Sequence, residues 1–437
     1  MNRKVSLGVA VAGCVLAVAL TVSATMMLAM RHFSALVSNV GQRQAMYDYL
    51  DEIDSAARGK YTIDEELLRT ALAKGYLEGL NDPYAAYLSA EDYKVVQNAL
   101  AGNYTGFGFR VTVVDNKLTV SYVADTSPAA LAGIKKGDIV TVVDEEAMTG
   151  ASYTTISDKL VNSEKMLLTV SHDGKESAME LTVNTYTDPG VEGYIVQDTV
   201  GYIRIRFFNN LTAMQFKNVY NELTRQGAQY FVFDLRNNTG GSLAAVKEIL
   251  GYLLPSGPYA TCVKKDSTET YTASDPYEMT ARSATLVNGN TEGEAELFAG
   301  VMQDLSKAVM VGSTTAGKAV VQEYFSLASD KAAVRLTVGE ITLMKSGSNW
   351  ADKGLIPDRL KDLSYDKMQR FDFLSYGEDD QLKAAVELLK SNENVTTPDS
   401  NTTTATTTTP DSDGATTAGT AETTTAASDG TATTTAA

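Results

Sequence analysis

Three glutamates, Glu292, Glu294 and Glu296, stand within five residues in the stretch NGNTEGEAELFAG, residues 288–300. Clustered carboxylates can serve as general acids and bases or bind a metal ion. This spacing matches no recognised metal-ligand pattern, and acids in the first turn of a helix also stabilise its positive end. The residues alone therefore leave two interpretations open, a reactive cluster and an ordinary helix start.

Histidine and cysteine offer almost no candidates for chemistry. The chain has two histidines, His32 beside an apolar segment and His172 in the turn-like SHDGK, and two cysteines, Cys14 and Cys262. A mechanism that needs a histidine base lacks a suitable residue, and no spacing of cysteine and histidine indicates a metal site. We expect Cys262 to be a buried small apolar residue without a disulfide partner. Neither a metal nor another cofactor is predicted.

Composition describes a folded protein of several parts. The chain has 437 residues, of which 44% are hydrophobic and 21% charged, so it can build two or three cores. Its formal net charge of -17 disfavours nonspecific binding to nucleic acid or to anionic membrane surfaces. Nucleic acid is therefore not an expected partner.

The N-terminus has the pattern of a membrane anchor. Residues 5–30 contain no charged side chain and follow Arg3 and Lys4. Such a segment can cross a hydrocarbon core of roughly 30 Å as a helix, and basic residues before it favour a cytoplasmic N-terminus. We predict a cytoplasmic N-terminus and transmembrane signal anchor over residues 1–32, with the bulk of the chain outside the cytoplasm. A cleaved signal peptide is the alternative, although its apolar region usually has ~7 to 15 residues.

The remaining chain divides by pattern into four regions. Residues 391–437 are rich in threonine and lack aromatic side chains, which predicts a disordered tail, either a spacer or solvated filler. Residues 40–100 are helical in pattern, with TIDEELLRTALAKGYLEGL capped by Thr62 or Asp64, a break at NDPY, and a second helix at about residues 89–100. The next two regions are residues 101–187 and 188–390.

Residues 101–187 alternate with period two, and residues 188–390 alternate between strands and helices. In the first region GFRVTVVDNKLTVSYV predicts a hairpin with an Asp-Asn turn, and SPAALAGIKKGDIVTVV predicts a short helix, a turn and a strand. In the second region YFVFDLR reads as a buried strand between two amphipathic helices. The fold class expected overall is α+β and multidomain, with helices packed on a central sheet in residues 188–390.

The β-rich region resembles a PDZ domain in two pieces, YTGFGFRV at residues 104–111 and SPAALAGIKKGDIVTVVD at residues 127–144. The resemblance implies a loop in which Gly106 and Gly108 let backbone N–H groups face the terminal carboxylate of a peptide. Phe107 and Phe109 would supply the backbone donors. A domain that binds protein C-termini is therefore expected here.

Four further motifs extend the resemblance to a peptidase family. In order they are LNDPYAAYLSAEDY, FDLRNNTGGSL, VMVGSTTAGKAVVQ and KGLIPD, and the likeness that they and the PDZ pieces carry runs from about residue 60 to residue 390. This arrangement is similar to the C-terminal processing peptidases, also called tail-specific proteases, which are serine-type enzymes with a PDZ domain before the catalytic core. The chain departs from the family motifs at Thr239, which replaces proline, and at Ala319, which replaces glycine.

The resemblance implies a serine nucleophile activated by a neutral lysine that a glutamine orients. The lysine corresponds to Lys318 and the glutamine to Gln322, while the serine position, 25 residues before the lysine, is Gly293. Glycine has no side chain that can attack a carbonyl. The family's oxyanion donors would be the N–H of Gly240 or Gly241 and the N–H that follows the nucleophile.

The glutamates add to this loss. A carboxylate on Glu294 would oppose the negative charge that develops at an oxyanion. Glu292 or Glu294 beside Lys318 would favour the ammonium form, whereas a base must be neutral. The run therefore reads as the place where a serine is missing.

Three hypotheses follow. The first is a membrane-anchored, catalytically impaired relative that binds C-terminal peptides or unfolded exported proteins as adaptor, decoy or regulator. The second is an active endopeptidase of exported proteins with a displaced nucleophile, of which Thr291 is the nearest candidate; a shift of two residues moves a side chain by roughly 6 Å. The third is an architectural spacer. The resemblance also leaves a homo-oligomer open.

Overall fold

The computed structural model describes residues 7–274 and 278–391. These residues divide into two compact units, one that ends at Asn81 and one that begins at Asp82. The predicted disordered tail lies outside the described residues, apart from Ser391, and so do Arg3 and Lys4.

The first unit contains two helices, α1 (Leu7–Arg58) and α2 (Glu65–Glu78). The Asp64 side chain accepts hydrogen bonds from the N–H groups of Glu66 and Leu67, which confirms one of the two predicted caps. No helix in the described part of the chain combines the length and apolar character needed to cross a bilayer, so the predicted anchor is not confirmed.

The second unit opens with a short strand and a capped helix, β1 (Ala86–Leu88) and α3 (Ala90–Leu100). A β-rich module follows. Its elements are β2 (Asn103–Gly106), β3 (Phe109–Val114), β4 (Lys117–Val123), α4 (Pro128–Leu131), β5 (Ile139–Val143), β6 (Glu146–Ala147), a 3₁₀ turn (Gly150–Ser152), α5 (Tyr153–Asn162), β7 (Lys165–His172), β8 (Lys175–Thr182) and β9 (Asn184–Thr187).

The module folds as an antiparallel sheet in the order β3-β4-β5-β7-β8, with β6 on β5 and a separate β2-β9 ribbon. Asp115 (φ 48°) and Asn116 (φ 59°) form the left-handed turn between β3 and β4 that the sequence predicts. Both phenylalanines of the glycine loop, Phe107 and Phe109, are buried in the module core. Strand β3 forms one edge of this sheet, and α5 contacts it.

The rest of the unit is a mixed α/β core. Its elements are β10 (Val191–Val196), β11 (Val200–Ile205), α6 (Thr212–Arg225), β12 (Tyr230–Asp234), α7 (Leu243–Leu253), β13 (Gly257–Lys264), β14 (Thr268–Ala273), β15 (Arg282–Val287), α8 (Glu294–Asp304), β16 (Ala308–Gly312), β17 (Val320–Ser326), β18 (Ala333–Leu343), β19 (Arg359–Leu360), α9 (Tyr365–Gln369), a 3₁₀ turn (Phe371–Phe373) and α10 (Asp380–Lys390).

The central sheet runs β10-β11-β12-β15-β16-β19 and is parallel except for the β10-β11 pair. Strand β12 is covered on both faces. Phe231 and Phe233 pack with the cluster that contains α6, α7 and α8, whereas Val232 packs with α10. A second, antiparallel sheet in the order β1-β18-β13-β14, with β17 on the other side of β18, was not predicted.

Contacts between aromatic and charged side chains join the β-rich module to the core. The Tyr122 hydroxyl of β4 donates to the Asp188 carboxylate at 2.5 Å, and the Arg206 guanidinium lies 4.4 Å from the centre of the Tyr122 ring. Arg206 also pairs with Glu192 at 2.8 Å. A cavity of about 530 Å³ opens beside these residues.

A buried ion pair ties the C-terminal helix to the sheet just before the glycine turn. Arg236, which is 2% exposed, donates to Asp234 at 2.9 Å through Nε and to Asp379 at 3.0 Å through Nη1. Burial works against the Asp234 carboxylate, but Arg236 and the Tyr202 hydroxyl hold its pKa below the usual range. Asp379 also caps α10, so one guanidinium fixes the end of β12 relative to that helix.

We expect Arg236→Met to lower the free energy of unfolding by about 3–5 kcal/mol, because it leaves two buried carboxylates without their cation. Arg225→Met is the matched control, since the Arg225 side chain is 73% exposed, and it should change stability by no more than about 0.5 kcal/mol. Urea unfolding followed by circular dichroism measures both. Equal effects of the two substitutions would contradict a structural role for the buried pair.

Candidate active site

Three loops meet where neighbouring parallel strands end. The Gly240-Gly241 turn follows β12, the glutamate run follows β15, and the loop that contains Lys318 follows β16. Because the carboxyl ends of parallel strands share one edge of a sheet, these segments are brought together although they lie far apart in sequence. The sequence-predicted residues Gly240, Gly241, Gly293 and Lys318 therefore belong to one site.

Gly293 is the N-cap of α8 and has a φ of +61°. A Cβ atom built on this residue would meet, apart from its chain neighbours, one described atom within 4 Å, Cδ of Lys318 at 3.9 Å. A side chain at position 293 would thus have room and would face the lysine. Any residue other than glycine would carry backbone strain here, on the order of 1–3 kcal/mol.

Lys318 is held by an acid and an aromatic ring. Its Nζ lies 2.8 Å from Oε1 of Glu292, and its side chain is 15% exposed. The same Nζ lies 5.3 Å from the centre of the Tyr84 ring, within cation–π distance. The ion pair engages the nitrogen that a general base would have to keep free.

Glu294 lies against the glycine turn. Its Oε2 accepts a hydrogen bond from the Gly241 N–H at 2.9 Å, and a Cβ on Gly240 would come within 2.4 Å of the same oxygen. Burial raises the pKa of the Glu294 carboxyl, and the N–H groups of Gly241 and of Glu294 itself offset part of this effect. The backbone donor that the resemblance assigns to an oxyanion is therefore bonded to a side chain of the chain itself.

Glu296 connects the start of α8 to the lysine loop. It is fully buried, and its Oε2 accepts from the N–H groups of Gly293 at 3.0 Å and Lys318 at 2.8 Å. Its Oε1 accepts from the Gly317 N–H at 2.7 Å and the Thr315 hydroxyl at 2.5 Å. The helix-start interpretation holds for Glu296, which is three residues after the N-cap, but this carboxylate also fixes the loop that carries Lys318.

Gln322 lies in β17, and its described contact is not with the lysine. Its Nε2 donates to the Tyr84 carbonyl at 2.9 Å, so it reaches Lys318 only through the Tyr84 segment. Asp82 anchors that segment by accepting from the Thr337 N–H at 3.0 Å. Burial opposes the Asp82 carboxylate, yet the N–H groups of Thr337 and Tyr84 keep its pKa below the ordinary value.

The Asp-Pro-Tyr segment resembles a family motif, but the sequence analysis assigns Tyr84 no role in the site. A signal for it was present, because an Asp two residues before a tyrosine N–H forms a turn that fixes the tyrosine. Its nearness to Lys318 required the pairing of β1 with β18, which periodicity does not reveal.

Thr291, the alternative nucleophile, has its hydroxyl engaged elsewhere. Its Oγ1 donates to the Leu235 carbonyl at 2.9 Å and accepts from the Asn288 N–H at 3.0 Å, and the residue is fully buried. In this conformation the hydroxyl proton is committed to a carbonyl and is not directed to Lys318. Within the described residues no group of three or more His, Cys, Asp or Glu side chains is arranged to hold a metal ion.

The second predicted site is the glycine loop of the β-rich module. Gly108 has a φ of +80°, and a Cβ on it would lie 2.0 Å from Cβ of Ser127, so the close packing of this loop on α4 requires glycine. Gly106 precedes it at the end of β2. The loop leads into the edge strand β3, where an extended peptide could add as a further strand.

Comparison with known families agrees with both regions. Residues 199–360 match the profile of peptidase family S41, and residues 105–183 match the profile of the PDZ domain. A Staphylococcus epidermidis protein named "Probable CtpA-like serine protease" is 28% identical over 301 residues, covering 67% of this chain and 60% of that protein. The "Carboxy-terminal processing protease CtpA" of Bacillus subtilis is 26% identical over 341 residues, covering 74% of this chain and 72% of that protein.

A solved structure is similar in fold. The crystal structure of a candidate S41 protease from Bacteroides fragilis NCTC 9343 superposes with a TM-score of 0.56 at 18% identity, covering 76% of this chain and 92% of that one. The chain spans 60% of the length of the staphylococcal relative.

We expect Glu296→Gln to lower the free energy of unfolding by about 2–4 kcal/mol, because the amide cannot accept all four hydrogen bonds that the carboxylate accepts. Glu294→Gln is the matched control. Since its raised pKa means that the folded state disfavours the charged form, removing that charge should leave stability at pH 7.5 equal to or above that of the wild type. For the same reason, the loss of stability caused by burying the charged Glu294 carboxylate should decline as the pH falls through its raised pKa.

Urea unfolding at pH 7.5 and pH 5.5 measures these effects. A loss of stability in Glu294→Gln comparable with that in Glu296→Gln would contradict the distinct roles of the two acids.

Proposed function

The S41 and PDZ domain matches and the CtpA-like relatives support a C-terminal processing peptidase family, and we propose a function for this chain on that basis. We infer that it is a membrane-anchored, extracytoplasmic member that binds protein C-termini through its PDZ domain and is catalytically impaired. The uncharged run at residues 5–30 is the basis for the anchor.

The observation that carries the impairment is the geometry at position 293. The backbone there faces Lys318 with space for a side chain and has none. Acyl transfer needs an atom that attacks the carbonyl, and neither the lysine nor the glycine turn supplies one. The engagement of Lys318 by Glu292 and the commitment of the Thr291 hydroxyl to Leu235 support the same conclusion.

Binding does not depend on the missing hydroxyl. The glycine loop before β3 keeps the close packing on Ser127, and the edge of β3 beside α5 is compatible with strand addition by a peptide. A protein with this combination would hold an exported chain by its C-terminus without cutting it. Adaptor, decoy and regulator are all roles that such binding can serve.

We expect a fluorescein-labelled decapeptide with a C-terminal valine to bind as the free acid at least about 10-fold more tightly than as the C-terminal amide, because the loop donors bond best to a carboxylate. Fluorescence polarisation with the full chain in detergent measures both. Gly108→Ala should abolish the preference for the acid, because its Cβ would collide with Ser127.

Gly174→Ala is the matched control for that variant. Gly174 also has a φ of +80°, but a Cβ there would meet no atom within 4 Å, so it imposes similar backbone strain without the collision. Equal affinity for acid and amide in the wild type would count against C-terminal recognition.

We expect no cleavage of denatured casein by the wild type beyond the level of Lys318→Ala, as judged by gel electrophoresis and mass spectrometry of fragments. Turnover that Lys318→Ala removes would show a working enzyme and contradict the impairment. In that event Thr291→Val, compared with Thr291→Ser, tests the displaced nucleophile, because only the serine variant retains a hydroxyl.

A further inference from the structure

A backbone donor that an oxyanion would use is bonded to a side chain of the chain itself. The Gly241 N–H donates to Oε2 of Glu294 at 2.9 Å, and Glu294 is the residue that follows the nucleophile position. The carboxylate sits so close to the turn that a Cβ on Gly240 would lie 2.4 Å from it. An anion supplied by the chain itself therefore stands where a reacting carbonyl oxygen would have to stand.

We propose that Glu294 is an internal occupant of the oxyanion hole, which closes the site to acyl transfer independently of the missing nucleophile. This inference rests on the proposed function and identifies a second obstacle to acyl transfer. A tethered carboxylate binds without the loss of translational and rotational freedom that an incoming peptide incurs, so it competes strongly for the Gly241 N–H. It also places a negative charge where negative charge would develop in the transition state.

The neighbouring glutamates do not share this role. Glu292 directs its carboxylate to Lys318, and Glu296 is fully buried between the start of α8 and the lysine loop. Within the described part of the chain, Glu294 is thus the acid of the run whose carboxylate bonds to the glycine turn. The three acids therefore have separate roles. Glu292 forms an ion pair with Lys318, Glu294 occupies the oxyanion hole, and Glu296 joins the start of α8 to the lysine loop.

The test introduces a serine nucleophile at position 293, with and without the Glu294 side chain. Gly293→Ser and Gly293→Ser/Glu294→Ala are compared for cleavage of denatured casein, each in a chain that also carries Glu292→Gln, so that the ion pair on Lys318 is not a block common to both. Each serine variant has a matched Gly293→Ala counterpart, which imposes the same backbone strain at φ +61° without a hydroxyl. Thermal unfolding checks that all the chains are folded.

We expect the serine chain without Glu294 to cleave casein at least about 10-fold faster than the serine chain with Glu294, and the alanine counterparts to be inactive. Glu294→Gln in the same background should give an intermediate rate, because the amide still fills the site but carries no charge. No gain on removing Glu294, whether both serine chains are active or both inactive, would overturn the inference.

A second measurement needs no turnover. Hydrogen–deuterium exchange of the segment that contains Gly241 should be faster in Glu294→Ala than in the wild type, whereas Glu323→Ala, an exposed acid on β17, should leave it unchanged. Unchanged exchange in Glu294→Ala would also overturn the inference. Cleavage by the wild type would instead overturn the proposed function, so the two failures are distinguishable.

Discussion

The active-site region depends on one buried carboxylate. Glu296 is removed from water, and it can remain there because four donors from two loops surround it. A buried charge with complete hydrogen bonding is costly to disturb, and removal of any one donor would leave it undercompensated. The start of α8 and the approach to Lys318 are therefore fixed relative to each other whether or not chemistry takes place between them.

This constraint explains how the site can keep its shape if, as we propose, it lacks a nucleophile. Gly293 contributes its N–H to Glu296, and Lys318 contributes its own N–H, so both positions have a structural role that does not depend on their side chains. Lys318 also lies against the Tyr84 ring, and Gln322 holds the Tyr84 carbonyl. Lys318 and Gln322, which correspond to catalytic residues of the family, are here also parts of the packing. Their presence is therefore no evidence of activity.

Under the proposed function, the residues of the run act on different requirements of acyl transfer. Gly293 removes the attacking atom, Glu292 engages the lysine nitrogen, and Glu294 bonds to the Gly241 donor. Each of the three acts separately on the reaction, so changing one residue leaves the effects of the other two in place. A PDZ loop that depends only on its backbone and on close packing against Ser127 is unaffected by these changes.

Local pattern was sufficient for the elements whose burial is regular. The buried strand at β12, the helices α6, α7 and α8, and the Asp-Asn turn of the module follow from periodicity, caps and turn residues, which act over a few positions. The antiparallel sheet formed by β1, β13, β14, β17 and β18 is not predicted by local pattern. Several of its strands are half-exposed, and the pairings that assemble it, β1 with β18 and β13 with β18, join strands far apart in sequence. The contact of Arg236 with Asp379, 143 residues away, has no local signal either.

By itself the sequence determined the family likeness, the order of the two folded regions and the absence of a side chain at position 293, since these depend on residue identity and spacing. Only the tertiary structure decided what each glutamate does. The three acids look alike in sequence, but the loops that follow β12 and β16 present different partners to them: an ammonium group, a glycine N–H and a set of buried donors. The chemistry of a carboxylate depends on the groups that surround it, and those groups come from elsewhere in the chain.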